Sequence, residues 1–415
     1  MFSNKFFSKF SLMLLIILLT ACAEVPRATP ALIDVTPMKY INLLPEGNLA
    51  GCLSITSDPI LGPEEKSLFP KVNQNDHVRG AQNADVTIIE YGDFQCPGCA
   101  VLATELAKLD KIFTSELQVV FRQLPLYDIH DKALMAAQAT EIAGDEGKFW
   151  ELHDLLYENF GSWVSLGPED FTNWLVDQVE SIGMDPTAFQ KKINSPEMID
   201  RVKSDLELAL SIGLRSTPFL LINGQIYNGP TDYKSLAQII GLIELGKRQF
   251  TSCPEMVIDP LKQYIATLQS EKGDIVVQLF ADKAPFTVNI FVFLAQSGWY
   301  DNITFHKVVQ GLVYTGDPSG TGMGGPGFIY DNELDGSLNF DQPGVVAMMN
   351  SGLDTNGSQF FITTSSQKEL IGRYTIFGQV ISGMDVLSKL TPINPETDAN
   401  PLAGDSLIKV TVIEN

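Results

Sequence analysis

Residues 86–99 read Val-Thr-Ile-Ile-Glu-Tyr-Gly-Asp-Phe-Gln-Cys-Pro-Gly-Cys, and this stretch decides the fold of the first half of the chain. Its β-branched residues at 86–91 predict a strand, whereas residues 100–111 have the apolar spacing of a helix. Cys96 and Cys99 therefore lie at a strand-to-helix junction, with the first sulfur at the helix N-terminus. Unpaired backbone N–H groups and the helix dipole stabilise a thiolate there, which makes a cysteine reactive.

The same cysteine spacing also occurs in zinc sites, but a zinc site needs a second pair of ligands. The four histidines are scattered, and the other three cysteines stand far apart: Cys22, Cys52 and Cys253. The motif therefore favours redox chemistry over metal binding, and we expect neither a metal nor a cofactor.

The N-terminus has the features of an export signal. Lys5 and Lys9 precede an apolar run at 10–19, which is too short to span a bilayer comfortably. Residues 19–22 read Leu-Thr-Ala-Cys and resemble a bacterial lipobox, in which the cysteine is lipidated; an ordinary cleaved signal peptide is the alternative. We expect an extracytoplasmic lipoprotein on the periplasmic side or the cell surface, anchored to the membrane through Cys22, where disulfides persist.

The length and composition of the chain suit two packed domains. The chain has 415 residues, 45% hydrophobic content and a formal net charge of −22. A net charge of this sign and size argues against electrostatic binding to nucleic acid or to anionic lipid.

Changes in texture along the chain divide it into five segments. Prolines punctuate the second segment, and short β-type runs, among them one at 308–314, fill the last segment. The predicted segments are a signal peptide (1–21), a tether (22–75), a first domain (76–250), a linker (251–262) and a second domain (263–415).

The first domain resembles the DsbA-type branch of the thioredoxin superfamily. The match starts at residues 84–99, continues through Phe-Arg-Gln-Leu-Pro at 121–125 and Gly-Lys-Phe-Trp at 147–150, and reaches Ser-Thr-Pro at 216–218. The resemblance implies an α/β thioredoxin fold with a helical insertion. The expected activity is thiol–disulfide oxidoreduction.

The resemblance also implies roles for five residues. Cys96 would be the attacking sulfur and Cys99 the resolving one. Thr217 and Pro218 would form the family's cis-proline loop, with a trans proline in a turn as the alternative. Glu90 would be the buried acid that relays protons, its pKa raised by burial, unless it faces water at the strand end.

Two features of the first domain leave questions open. The dipeptide between the cysteines is Pro-Gly, without a histidine to stabilise the thiolate, so the sequence leaves the direction of electron flow open. Cys52 and Cys253 flank the domain and can pair in an oxidising compartment; two free thiols are the alternative.

The second domain resembles cyclophilin, the peptidyl-prolyl isomerase. The match consists of long motifs in the family's order, at 305–309, 316–322, 356–363, 374–378 and 383–387. The resemblance implies a closed β-barrel with capping helices, so the whole chain is expected to be a multidomain protein. It also implies catalysis of rotation about X–Pro bonds, whose barrier is about 18–20 kcal/mol.

The expected isomerase site follows from the same resemblance. Lys307 stands where the family has its catalytic arginine; it keeps the charge but loses the planar fork. Leu312 replaces a pocket phenylalanine. The remaining expected site residues are the proline pocket (Phe361, Met348, Leu370), the holders of the substrate backbone (Gln359, Asn350) and the supporting pair (Phe305, His306).

We therefore expect a folding enzyme that combines prolyl isomerisation with thiol–disulfide exchange. Its partners would be unfolded exported proteins and a redox partner for the dithiol. The substitution at Lys307 raises an alternative, in which the cyclophilin domain only binds proline-containing segments for the dithiol. A surface-binding protein with both sites idle is a third hypothesis.

Overall fold

The computed structural model describes residues 51–55, 69–398 and 404–415. The predicted signal peptide, its lipobox Cys22 and most of the predicted tether lie outside these residues. All described residues belong to one compact unit. Within them, no helix is both long enough and apolar enough to cross a bilayer.

The first strand of the described chain, β1 (Cys52–Ser54), lies in what the sequence predicts as tether. It pairs in antiparallel register with residues 328–330 of the second domain. A backbone hydrogen bond from Ile55 to Gly327, 2.8 Å long, extends the pairing. This part of the predicted tether is therefore a strand, because the second domain offers it an open sheet edge.

The first domain is built on a five-stranded sheet of order β2-β4-β3-β5-β6. The central strand β3 runs parallel to β4 and antiparallel to β5, and it is buried almost throughout. The strands are β2 (His77–Gly80), β3 (Val86–Gly92), β4 (Leu117–Gln123), β5 (Phe219–Ile222) and β6 (Gln225–Tyr227).

Helices cover both the dithiol end and the faces of this sheet. Proline in the first turn starts several of them, and Asp185, Ser195 and Asp232 cap three N-termini with side-chain hydrogen bonds. The insertion between β4 and β5 is helical, as expected. The helices are α1 (Pro97–Ile112), α2 (Ala133–Asp145), α3 (Phe149–Glu158), α4 (Phe160–Trp163), α5 (Pro168–Ser181), α6 (Pro186–Lys192), α7 (Pro196–Ser211) and α8 (Tyr233–Gly246).

The second domain is an antiparallel sheet that curls around an aromatic core. Its helices are α9 (Pro285–Gln296), α10 (Met384–Leu387) and a 3-10 turn (Lys368–Leu370). Its strands are β7 (Tyr264–Ser270), β8 (Gly273–Leu279), β9 (Ile303–Thr304), β10 (Lys307–Val309), β11 (Leu312–Thr315), β12 (Phe328–Tyr330), β13 (Val345–Asn350), β14 (Asn356–Thr363), β15 (Ile376–Ser382) and β16 (Ser406–Glu414).

The expected cyclophilin fold is present, and its sheet forms a half-barrel. The hydrogen-bonded path runs β1-β12-β14-β13-β15-β8-β7-β16-β9, and the hairpin β10–β11 joins it at β14. In the part of the chain that the structure describes, the two ends of this path do not pair with each other. Phe291, Tyr300, Phe360 and Phe377 pack edge to face or tilted inside the curl.

The segment predicted as a linker is packed against the second domain. The ring of Phe250, which immediately precedes this segment, has its centroid 5.0 Å from that of Phe293 and 5.9 Å from that of Trp299. The buried Asn289 side chain on α9 accepts a hydrogen bond from the Val257 amide and donates one to the Glu255 carbonyl. An aromatic side chain and a buried amide thus fix this segment in place.

A disulfide joins the two ends of the first domain to the second. Cys52 on β1 and Cys253 in the linker segment form the bond, 201 residues apart in sequence. The Ser54 hydroxyl donates a hydrogen bond to the Thr251 carbonyl beside it. The whole thioredoxin-like domain therefore lies within one covalent loop, which the disulfide closes beside the half-barrel.

Candidate active sites

The dithiol lies at the start of α1, where β3 delivers the chain to the helix. Cys96 is the N-cap residue and Pro97 the first helical residue, so the N-terminus of α1 lies at Cys96. The Cys96 sulfur lies 3.5 Å from the carbonyl oxygen of Thr217. The Thr217–Pro218 peptide bond is cis. The loop predicted from Ser-Thr-Pro thus lies directly against the attacking sulfur.

Glycine at position 98 allows this close approach. A side-chain carbon added at Gly98 would lie 3.1 Å from Cδ of Pro218 and 3.7 Å from the Cys96 sulfur. That distance to proline is tighter than ordinary van der Waals contact. The Pro-Gly dipeptide therefore keeps the proline loop in contact with the dithiol.

The two thiols have opposite acidities. A hydrogen bond from the Cys99 thiol, aided by Thr217 and by backbone N–H groups at the helix start, lowers the pKa of Cys96 to about 5. Burial raises the pKa of Cys99 well above its usual value. Cys96 is thus a thiolate at neutral pH and Cys99 a thiol, which suits an attacking sulfur and a resolving one.

Glu90 lies under the dithiol on β3. Its side chain is 1% exposed, so it does not face water. Burial raises its pKa to about 8, with the charge of Cys96 adding to the rise and the interaction with the Cys99 side chain opposing it. Among the described residues, its Oε1 atom has no hydrogen-bond partner. A carboxyl with a pKa near neutrality is placed to exchange a proton with Cys99.

Sequence reasoning missed Tyr157 on α3, which belongs to the same buried cluster as both cysteines. Its hydroxyl is buried without a partner in the described structure, and its ring centroid lies 5.1 Å from that of Phe94. Burial, together with the nearby Cys99 and Glu90, raises its pKa well above the usual value. Only the apolar face of α3 pointed towards this region in the sequence.

The isomerase site is organised by a row of residues across three strands. Lys307 on β10 is directly opposite Tyr314 on β11, and Tyr314 is opposite Phe361 on β14. The Lys307 ammonium lies 2.8 Å from a carboxylate oxygen of Glu396 and 5.6 Å from the centroid of the Tyr314 ring. The predicted catalytic cation and the predicted pocket wall therefore lie two strands apart.

The structure brings three of the four predicted pocket residues together. Phe361 is buried in an apolar cluster on the outer face of the half-barrel, against which Leu312 and Leu370 pack. Met348 is not part of it: it lies in the barrel core on the opposite face of β13. Met349 takes the pocket-side position instead, because successive side chains of a strand point to opposite faces.

The other predicted site residues surround this cluster. The Gln359 amide donates hydrogen bonds to the carbonyls of Gly322 and Gly324, and the Asn350 amide donates to the Arg373 carbonyl.

Phe305 and His306 are both buried just before Lys307. Burial lowers the pKa of His306, so its ring is neutral at neutral pH. These two residues support the site from within rather than face a substrate.

The loop at 316–326, which holds Gln359, also carries the contact with the redox domain. Leu245 at the end of α8 is 3% exposed and belongs to the core cluster of the half-barrel. Its Cδ2 lies where a side chain on Gly324 would be. The Gln249 amide donates to the Gly325 carbonyl at 3.0 Å. The first domain thus supplies part of the second domain's core, next to the isomerase site.

No metal site accompanies either centre in the described ranges. They contain no group of three or more histidine, cysteine or acidic side chains that could hold a metal ion.

These two centres define a class: a dithiol oxidoreductase of thioredoxin type joined to a prolyl isomerase of half-barrel fold. Family models agree with the division. The cyclophilin type peptidyl-prolyl cis-trans isomerase/CLD model matches residues 264–412, and the thioredoxin model matches residues 72–241.

Curated relatives identify the family. Peptidyl-prolyl cis-trans isomerase A of Mycobacterium tuberculosis is 39% identical over 176 residues, covering 37% of this chain and 97% of that protein. The human peptidylprolyl isomerase domain and WD repeat-containing protein 1 is 39% identical over 153 residues, covering 35% of this chain and 24% of that protein. The chain belongs to the cyclophilin-type peptidyl-prolyl cis-trans isomerase family, with a thioredoxin-like domain before the isomerase domain.

Two solved structures each resemble a part of this chain. A cyclophilin type isomerase of Cryptosporidium parvum is 33% identical, covers 37% of this chain and 99% of its own, and has a TM-score of 0.35. Oxidised BdbD of Bacillus subtilis is 22% identical, covers 40% of this chain and 91% of its own, with a TM-score of 0.35.

Proposed function

We propose that this protein is an extracytoplasmic folding enzyme that exchanges disulfides at Cys96 and Cys99 and isomerises X–Pro bonds around Lys307. The observation that carries the proposal is the Cys96 sulfur, 3.5 Å from the Thr217 carbonyl at the start of α1, in a chain that also carries the isomerase domain. Its substrates are partly folded exported proteins, in which both kinds of event are slow.

The redox step uses the acidity difference of the two thiols. In the reducing direction, the Cys96 thiolate attacks one sulfur of a substrate disulfide and releases a substrate thiolate. Cys99 then passes its proton to ionised Glu90 and attacks the Cys96 sulfur. The second substrate thiolate leaves, so the substrate gains two electrons and the pair ends as a disulfide.

Oxidation of a substrate is the reverse sequence, and the acidity of Cys96 favours it. The hydrogen bonds that lower the Cys96 pKa to about 5 stabilise the reduced dithiol. A dithiol whose reduced form is stabilised is a stronger oxidant. The protein therefore donates disulfides, through a redox partner that reoxidises the pair.

The isomerase step uses Lys307 as a hydrogen-bond donor. An ammonium carries three donors, and Glu396 takes one of them, so the others can reach the imide nitrogen as it pyramidalises. The cluster around Phe361 receives the proline ring. The side-chain oxygens of Gln359 and Asn350 accept hydrogen bonds from the neighbouring substrate backbone, because the N–H groups of both amides already donate within the protein.

The location is part of the proposal. The Leu-Thr-Ala-Cys sequence supports lipidation of Cys22, and the Cys52–Cys253 disulfide supports an oxidising compartment. Cell fractionation of the parent and of Cys22→Ser tests this point. The parent is expected with the membranes and the variant in the soluble fraction; equal distribution would contradict the anchor.

A second candidate function is capture of proline-containing segments without turnover. Two observations favour this function. Phe361 is 1% exposed, so the wall of the predicted proline pocket is covered, and Lys307 is engaged in an ion pair with Glu396. The rate of proline isomerisation by the variant Lys307→Ala, compared with that of the control variant Lys262→Ala, decides between turnover and pure capture. The full chain is needed, because Leu245 of the first domain belongs to the isomerase core. Turnover lost only with Lys307 excludes pure capture, and a parent without turnover supports it.

The redox half has its own assay. Insulin reduction by the parent is compared with that by Cys96→Ala. We expect the variant to be inactive, and unchanged activity would contradict the dithiol chemistry.

A further inference from the structure

One side chain of the isomerase site has no role in the function proposed so far. Tyr314 stands between Lys307 and Phe361 in the cross-strand row. Its ring centroid lies 5.6 Å from that of Phe361, and the Lys307 ammonium lies 5.6 Å from the same ring. A proline ring that enters on the Phe361 side of the site while its nitrogen reaches Lys307 must therefore lie along Tyr314.

The Tyr314 ring also forms part of the surface that a substrate meets. Phe361 is covered on one side by Tyr314 and on another by Tyr374, whose ring centroid is 5.2 Å away. Both tyrosines are only partly buried, whereas Phe361 is 1% exposed, so a substrate meets the tyrosine rings before it meets Phe361. Aromatic faces attract both a proline ring and an ammonium group.

The phenol group is available as a donor. In the described part of the chain, the Tyr314 hydroxyl makes no hydrogen bond within the protein, and burial raises its pKa to about 12. The hydroxyl therefore keeps its proton at any physiological pH. It adds a fixed donor beside Lys307, whose single ammonium lacks the planar fork of an arginine.

The chemistry of rotation decides which substrate oxygen this donor serves. Twisting the X–Pro bond breaks amide resonance and makes the carbonyl oxygen before the bond a poorer acceptor. A hydrogen bond to that oxygen would stabilise the planar ground state and slow the reaction. The useful acceptor is a carbonyl of a flanking peptide group, which does not change during rotation.

We propose that Tyr314 is a substrate-binding residue of the isomerase site, whose ring positions Lys307 and packs against the proline and whose hydroxyl bonds a flanking carbonyl of the substrate. This inference rests on the isomerase function proposed above. The hydroxyl of Tyr314 acts equally in the ground and transition states, whereas its ring positions the catalytic cation. The contribution of the hydroxyl to KM and that of the ring to kcat can therefore be measured separately.

The test is steady-state isomerisation of an X–Pro tetrapeptide by the full chain and two variants. Tyr314→Phe removes only the hydroxyl, so KM is expected to rise about fivefold, the worth of one neutral hydrogen bond, with kcat unchanged. Tyr314→Leu also removes the ring, so kcat falls about tenfold in addition. Tyr264→Phe, whose hydroxyl is bonded to Glu414 away from the site, is the matched control and leaves both constants unchanged.

The outcomes are distinct from those of the proposed function. Unchanged constants in Tyr314→Phe overturn the role of the hydroxyl, and an unchanged kcat in Tyr314→Leu overturns that of the ring. A parent protein without turnover refutes the isomerase activity alone. Calorimetric measurement of the binding of the same peptide then decides whether Tyr314 contacts the substrate. Binding weakened about fivefold in Tyr314→Phe supports the contact; equal binding, or none by the parent, overturns it.

Discussion

Replacing Glu90 by glutamine should change how the stability of the redox domain depends on pH. Burial raises the Glu90 pKa in the folded protein from 4.5 to about 8. Because the folded pKa is the higher one, this side chain's stabilisation is complete below pH 4.5 and is lost as pH rises towards 8. At 1.36 kcal/mol per pH unit, the loss amounts to about 5 kcal/mol as an upper figure.

Glutamine keeps the shape of the side chain and cannot ionise. The difference in unfolding free energy between Glu90→Gln and the parent should therefore shift in favour of the variant between pH 5 and pH 9. The Cys96 thiol also titrates in this window, but it is present in both proteins and largely cancels from the difference. The expected shift is several kcal/mol.

Urea unfolding of the reduced proteins at pH 5, 7 and 9 measures this difference. Hydrogen exchange of the β3 amides assigns it to the redox domain, since a two-domain chain need not unfold in one step. The control is Glu151→Gln, the same replacement at an exposed carboxyl on α3. A pH-independent difference for Glu90→Gln would refute the buried acid, and thiol exchange slowed by about a hundredfold would support its proton transfer.

Three further predictions concern the covalent and packing links of the chain. Leu245→Ala should cost the isomerase domain about 2–5 kcal/mol in urea unfolding, while Leu261→Ala, at a site 94% exposed, should cost less than about 0.5 kcal/mol; equal effects would contradict the shared core. Replacing Cys52 and Cys253 by serine should lower stability by up to about 5 kcal/mol, the chain-entropy value for a loop of this length, and an unchanged denaturation midpoint would contradict the bond. Cys99→Ala should accumulate mixed disulfides detectable by mass spectrometry, and a persistently free thiol on the variant would contradict the resolving role.

The redox site could be predicted closely because its parts are adjacent in sequence. The strand, Cys96, Cys99 and the helix start form one continuous run, so local rules place them together. Glu90 lies in the same run, and the resemblance to the DsbA-type branch implied its role as the buried acid. Pro218 is distant in sequence, and only the resemblance to the DsbA-type branch connected it with the dithiol.

The isomerase site was predicted less well because it depends on strand register. The run at 308–314 is a hairpin, turning at Gly311 with φ of +87°, and this turn brings Tyr314 opposite Lys307. A reading of the run as one strand hides that pairing. The prediction placed Met348 in the pocket, where the structure has Met349. This difference has the same origin, since a shift of one residue moves a side chain to the other face of the strand.

The contacts between domains were outside the reach of sequence patterns. Leu245 has the apolar spacing of any helix face, and nothing in that spacing distinguishes its own domain's core from a neighbour's. Residues 52–54 are too few to give a strand signal. Their pairing becomes visible only when the edge strand β12 is in place beside them.

The packed interface gives a physical reason for two enzymes on one chain. Glu105 on α1, the helix that starts at the dithiol, accepts a hydrogen bond from the Tyr233 amide at the start of α8, and α8 ends with Leu245 in the isomerase core. The two sites are therefore held by consecutive packed helices instead of a flexible linker. A substrate chain bound at one site is presented to the other as a tethered ligand, at an effective concentration on the order of millimolar. On the proposed function, weak binding by the isomerase site is then enough to retain a substrate while its disulfides are exchanged.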